Sequence, residues 1–143
     1  MKPKWILLVE DNPDDELLML RALKKNAVLN EVRVARDGVE ALDHLLTAWD
    51  EDVAPQELPA VVLLDLKLPK VDGLEVLRRL RAETHTRLLP VVVLTSSHER
   101  EDVLAAYTLG ANSYVRKPVD FTEFTQIISV LGVYWLSINE LPC

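Results

Sequence analysis

Short apolar runs and helical-period stripes alternate along the whole chain. The runs cover residues 5–9, 32–35, 60–64, 91–94 and 113–115. Three of them (WILLV, AVVLL and VVVL) are nearly unbroken strings of β-branched residues and leucine. That composition is expected of strands covered on both faces of a parallel sheet. Between the runs, Val39, Leu42, Leu46 and Trp49 recur at helical spacing, as do Val76, Leu77 and Leu80. The clearest stripe is the last, Phe121, Phe124, Ile127, Ile128 and Leu131, with Asp120 or Thr122 as its cap. A first helix is predicted over residues 13–26, apolar on more than one side through 17–20 and so deeply packed.

Five strands alternating with five helices give an α/β protein of the order βαβαβαβαβα. Right-handed crossovers put helices on both faces of its parallel sheet. Ligands in such sheets bind beyond the carboxyl ends of the strands, so chemistry is sought just after each run. Residues 47–59 are acidic and contain prolines, and they read as a surface loop.

The strand ends make a consistent set. The first run is followed by Glu10-Asp11-Asn12, the third by Asp65, the fourth by Thr95-Ser96-Ser97, and the fifth leads to Lys117-Pro118. Three carboxylates would converge there with a hydroxyl and an ammonium. Clustered carboxylates repel one another unless a cation joins them. Oxygen donors without His or Cys select a hard ion, Mg²⁺ or Mn²⁺. A carboxylate beside a metal, a lysine and a hydroxyl is suited to phosphoryl chemistry.

Composition narrows the picture further. The 143 residues suffice for one domain, 49% of them are hydrophobic, and 16 basic against 23 acidic groups leave a net charge of −7. That charge disfavours nucleic acid as a partner. The single cysteine, Cys143, excludes an internal disulfide and suits a reducing cytoplasm. No uninterrupted apolar run approaches the length of a membrane span.

The pieces LLVEDNPDD, LLDLKLPKVDGLEVL, VVVLTSS and GANSYVRKP, in this order on these strand ends, resemble a response-regulator receiver domain over about residues 5–131. The resemblance implies a flavodoxin-like doubly wound (βα)5 fold with strand order 2-1-3-4-5, and a single receiver domain over 1–143 with residues 132–143 as an extension. It makes Asp65 the phosphoacceptor and gives the metal Glu10, Asp11, Asp65 and the backbone carbonyl of Lys67. Thr95 becomes the switch hydroxyl, Lys117 the phosphate-pairing lysine, and Tyr114 the aromatic that reports phosphorylation. Lys117-Pro118 resembles the family's cis-proline step. Glu10 departs from the aspartate usual there, which lengthens the reach without changing the charge.

Residues 47–59, the tail and its YWLSINE segment are similar to receivers that partner phytochrome-type histidine kinases. This implies a sensor kinase as phosphoryl donor and a cytoplasmic signal carrier rather than an enzyme. With no second domain in the sequence, the expected output is a protein contact or onward transfer to a phosphotransfer protein. Two alternatives are a degenerate receiver that only binds partners and an aspartate-based phosphatase. The second needs an acid two residues after the nucleophile, where Lys67 stands. A flavin-binding module needs a phosphate-cradling first loop, and Glu10 to Asp15 would repel phosphate.

Several residues also suit plainer roles. Asp14 and Asp15 suit the positive end of the first helix, Tyr114 suits a half-buried packing position, and Gly73 suits a backbone conformation other residues resist. His44, His85 and His98 follow no ligand spacing. In the tail, Gly132 either ends the last helix, so that Trp135 folds back, or lies mid-helix, so that Trp135 meets a neighbour. The apolar content of 132–143 favours the neighbour, a homodimer.

Overall fold

The computed structural model describes residues 4–25, 31–46 and 58–142. Its strands are β1 Trp5–Val9, β2 Glu31–Ala35, β3 Val61–Leu64, β4 Val91–Thr95 and β5 Ser113–Arg116, all parallel in the order β2-β1-β3-β4-β5. Helices α1 Pro13–Lys24, α2 Gly38–Leu46, α3 Gly73–Ala82, α4 Arg100–Thr108 and α5 Phe121–Val133 alternate with them, and a π-helical turn, Tyr134–Ile138, extends α5. The predicted fold class and strand order hold. Trp49, most of the 47–59 loop and Cys143 lie outside the described residues.

The period of two along each strand splits the core into two layers. Leu7, Val9, Val62, Leu64, Val91 and Val93 pack with Leu42, Leu45, Val76, Leu77 and Leu80 of α2 and α3. Ile6, Leu8, Leu63, Val92 and Leu94 pack with Met19, Ala22 and Leu23 of α1 and with Phe124 and Ile128 of α5. The sheet is therefore covered on both faces, as its unbroken apolar strings require.

Several local expectations are corrected. Helix α1 is not deeply packed: Met19 is buried, but Leu17 is 49% exposed, because only one stripe of the helix meets the sheet. Its start is set by Asn12, whose side chain accepts the N–H groups of Asp14 and Asp15 at 2.9 and 3.1 Å. Phe121 leaves the predicted stripe of α5 and is 69% exposed, since it occupies the first turn beyond the edge of the core. Asp120, not Thr122, caps α5 by accepting the Glu123 N–H at 2.9 Å.

No peptide bond among the described residues is cis, so Lys117-Pro118 is trans, contrary to the expectation. The two isomers before proline differ by only about 0.5–1 kcal/mol, so the dipeptide alone does not choose between them. Gly73 is an ordinary helical residue, and its requirement is space. A Cβ there would lie 2.3 Å from the carbonyl oxygen of Asp65. The unusual conformation belongs to Lys70, at φ 67° in the same loop.

The tail combines parts of both alternatives. Gly132 lies within α5, close against Leu23, yet Trp135 and Leu136 are buried in their own domain beside α1 and β1. The π turn is the reason: it widens the helix, closes with an Asn139 N–H to Tyr134 carbonyl bond of 2.7 Å, and turns these two side chains inward. Lys4 Nζ ties the turn down by donating to the Leu136 carbonyl at 3.0 Å. With α5 the turn forms one run, Phe121–Ile138, of 18 residues and mean hydropathy 1.2, enough by length and composition alone to cross a membrane. The sequence showed no such run because Thr122, Glu123 and Gln126 interrupt it.

Candidate phosphoacceptor site

Strand register assembles the site. Val9 lies opposite both Ala35 and Leu64, and Thr95 lies opposite Arg116. The residues just beyond these positions emerge side by side at the carboxyl edge of the sheet. Backbone bonds extend each strand into its loop: the Glu10 N–H donates to the Ala35 carbonyl at 3.0 Å, Asp65 N–H to the Val9 carbonyl at 3.1 Å, and Lys117 N–H to the Thr95 carbonyl at 2.7 Å.

Carboxylate oxygens of Glu10, Asp11 and Asp65 lie within 4.8 Å of one another. Glu10 and Asp65 are buried, and Asp11 is exposed at the rim. Into this cluster comes the Lys117 ammonium, which donates to Glu10 Oε1 and, at 2.9 Å each, to Asp65 Oδ2 and Asp15 Oδ2. Its side chain is only 9% exposed. Burial pushes the Glu10 carboxyl up to about 7, even with the ammonium beside it. Burial works against the charge of Lys117, but the Asp65 and Glu10 carboxylates outweigh it and hold its ammonium above the usual lysine range.

An all-oxygen set of three carboxylates this close fits a hard divalent ion. The Lys67 N–H donates to Asp65 Oδ1 at 3.3 Å, which brings that peptide against the same carboxylate. An open groove of about 370 Å³, lined by Asp11, Leu66, Lys67 and Asp102 among others, borders the cluster at Asp11.

Thr95 is fully buried at the end of β4, where its hydroxyl oxygen accepts the Ser97 N–H at 3.4 Å. Tyr114 is half-buried, as expected, and donates its O–H to the Ser97 carbonyl at 2.9 Å rather than to a group of the site. Burial pushes its phenol up. The Ser97 hydroxyl donates to Asp102 in the first turn of α4. Ser97 thus joins Thr95, Tyr114 and α4, a link that sequence reasoning missed.

Asp15 was missed too. Its place near a helix start had an ordinary explanation, and only its position four residues after Asp11, in the first turn of α1, hinted at a second role. The three histidines do not join the cluster: His85 and His98 are exposed, and His44 lies in α2.

Residues 6–129 match the family described as the response regulator receiver domain. The chain belongs to this family. It is 37% identical to the response regulator Rcp1 of Synechocystis sp. over 140 residues, 98% of this chain and 94% of that one. The crystal structure of the Mn²⁺-bound form of Rcp1 matches with a TM-score of 0.87 and covers 99% of this chain and 100% of that one. A phosphorylated cyanobacterial phytochrome response regulator, RcpA, matches with a TM-score of 0.90 at 37% identity, over 99% of this chain and 100% of that one. The bacteriophytochrome response regulator AtBRR is 53% identical, with a TM-score of 0.73, over 98% of this chain and 100% of that one. The receiver's acidic cluster fits divalent metal binding, and the domain's role is that of a phosphoacceptor in signalling.

Proposed function

We propose that Asp65 accepts a phosphoryl group from a phytochrome-type sensor histidine kinase. The observation that carries this reading is the contact of one buried lysine with both Asp65 and Glu10. In the transfer, an Asp65 Oδ atom forms a bond to phosphorus while the bond from phosphorus to the histidine nitrogen breaks. The electron pair of that bond stays with the imidazole. Glu10, Asp11, Asp65 and the Lys67 carbonyl would hold a Mg²⁺ or Mn²⁺ ion. When bound, the ion supplies the positive charge that lets a phosphoryl group approach three carboxylates.

Lys117 and the Thr95 hydroxyl donate to the phosphoryl oxygens once the group is attached. Drawing Thr95 inward opens its contact with Ser97, and through Ser97 the change reaches Tyr114 and the start of α4. No residue is positioned two after Asp65 as an acid, since Lys67 stands there, so turnover is slow and the molecule works as a carrier.

The whole of residues 1–143 acts as one cytoplasmic receiver domain, with its core at about 5–131. It signals by protein contact or onward transfer to a phosphotransfer protein. Val130, Tyr134 and Ile138, exposed at four-residue intervals on α5 and its π turn, support a homodimer.

The test is phosphoryl uptake from acetyl phosphate with Mg²⁺. Wild type takes up close to one phosphoryl group per chain, and Asp65→Asn, nearly isosteric, takes up none. Uptake by the variant at the wild-type rate would overturn the assignment.

A further inference from the structure

An ammonium has three N–H donors, and all three of those on Lys117 are taken, by Glu10 Oε1, Asp15 Oδ2 and Asp65 Oδ2. Pairing Lys117 with a phosphoryl oxygen therefore requires one acceptor to let go. The three acceptors are not equivalent. The Glu10 side chain is fully enclosed at 0% exposure, and that of Asp65, which carries the incoming group, is 9% exposed. The Asp15 side chain is 30% exposed. It can turn into water while its own N–H stays on the Asn12 cap at 3.1 Å.

We propose that Asp15 is a positioning residue that occupies the third donor of Lys117 and yields it to the phosphoryl group. The inference rests on the phosphoacceptor reading given above. Before phosphorylation, the contact keeps the ammonium aimed and all three of its protons bonded within a mostly buried cluster. The same contact opposes the arriving group. Asp15 competes for the donor, and its negative charge repels an anion at the position the phosphoryl oxygen must take. Removing that charge should therefore favour the phosphoryl-bound state, provided Lys117 is present.

The test uses the full chain with Mg²⁺ and beryllofluoride, a phosphoryl mimic that binds the aspartate reversibly. Affinities for the mimic and for Mg²⁺ alone are measured by titration calorimetry on wild type, Asp15→Ala, Asp15→Asn, Lys117→Ala and the Asp15→Ala/Lys117→Ala pair. Asp15→Ala should tighten the mimic by roughly threefold or more, the scale of a partly exposed ion pair. Asp15→Asn, which keeps an acceptor oxygen but not the charge, should fall between. Mg²⁺ affinity should stay within about twofold, and the gain should vanish in the Lys117→Ala background.

An unchanged or weaker affinity for the mimic in both Asp15 variants would overturn the proposal. So would a gain that persists without Lys117, which would reduce the effect to general repulsion, or a large loss of Mg²⁺ affinity, which would make Asp15 part of the metal site. Failure of the underlying reading looks different: wild type itself would not bind the mimic.

Discussion

Lys117 and Glu10 illustrate how much one contact depends on the charge around it. Glu10 is enclosed at the end of β1, and its carboxyl is raised to about 7 because burial disfavours its charged form. A raised carboxyl pKa stabilises the metal-free fold at low pH, and that contribution is lost as pH rises through about 7. Metal binding has the opposite dependence, since the ion requires the ionised group. Mg²⁺ affinity should therefore rise by about tenfold from pH 6 to pH 8 for one coupled proton. Titrations of Glu10→Gln should show weaker binding and little of this dependence. A slope unchanged in that variant would assign the proton elsewhere.

Glu10, Asp11, Asp65, Thr95 and Lys117 were legible in the sequence because each stands just beyond an apolar run. Asp15 and Ser97 were not, since polar residues at a helix start or in a loop have ordinary explanations. Their roles appear only in the side-chain geometry.

At the scale of elements, the strands were read from composition almost to the residue, whereas the fourth helix carried no stripe to find. Only Ala106 of α4 is buried, and Leu104 and Tyr107 are 53% and 50% exposed. What fixes this side of the molecule is Arg81, at the end of α3. Its guanidinium donates to the carbonyls of Gly110, Thr86, Arg87 and Leu89 and to Asn112 Oδ1, at 2.8 to 3.2 Å. One side chain thus ties α3 to the loop before β4 and the turn after α4. No period in the sequence marks such a residue, because its partners are backbone carbonyls.

Arg81→Ala leaves several of those carbonyls without their donor and should cost about 2–3 kcal/mol in chemical denaturation. Arg81→Lys, which lacks the planar fork, should recover only part of that. A loss below about 0.5 kcal/mol would mean that water replaces the guanidinium without penalty.

At the scale of the whole molecule, the sequence pointed to the tail as unusually apolar but misjudged which residues face outward. Trp135, expected at a neighbour, is buried at home, while Val130, Tyr134 and Ile138 form the outward stripe at 67%, 43% and 64% exposure. Apolar content alone does not say which of these side chains turn inward; the π turn at Tyr134–Ile138, with Trp135 and Leu136 buried, decides it. If two copies meet along this stripe, Tyr134→Glu places like charges in the seam, and light scattering on the full chain should fall from dimer to monomer mass. Wild type running as a monomer at tens of micromolar, the scale of a weak association, would contradict the dimer.

The residue that takes the phosphoryl group can be marked directly. An acyl phosphate on an aspartate is reduced by borohydride to homoserine, so the modified residue is marked in the peptide that carries it. After incubation with acetyl phosphate and Mg²⁺, followed by reduction and mass spectrometry, homoserine is expected at position 65 and not at Asp11 or Asp15, and Glu10 is expected to remain glutamate rather than become the alcohol one carbon longer. Homoserine at Asp11 or Asp15 with an unmodified Asp65, or no reducible phosphoryl group at all, would contradict the account.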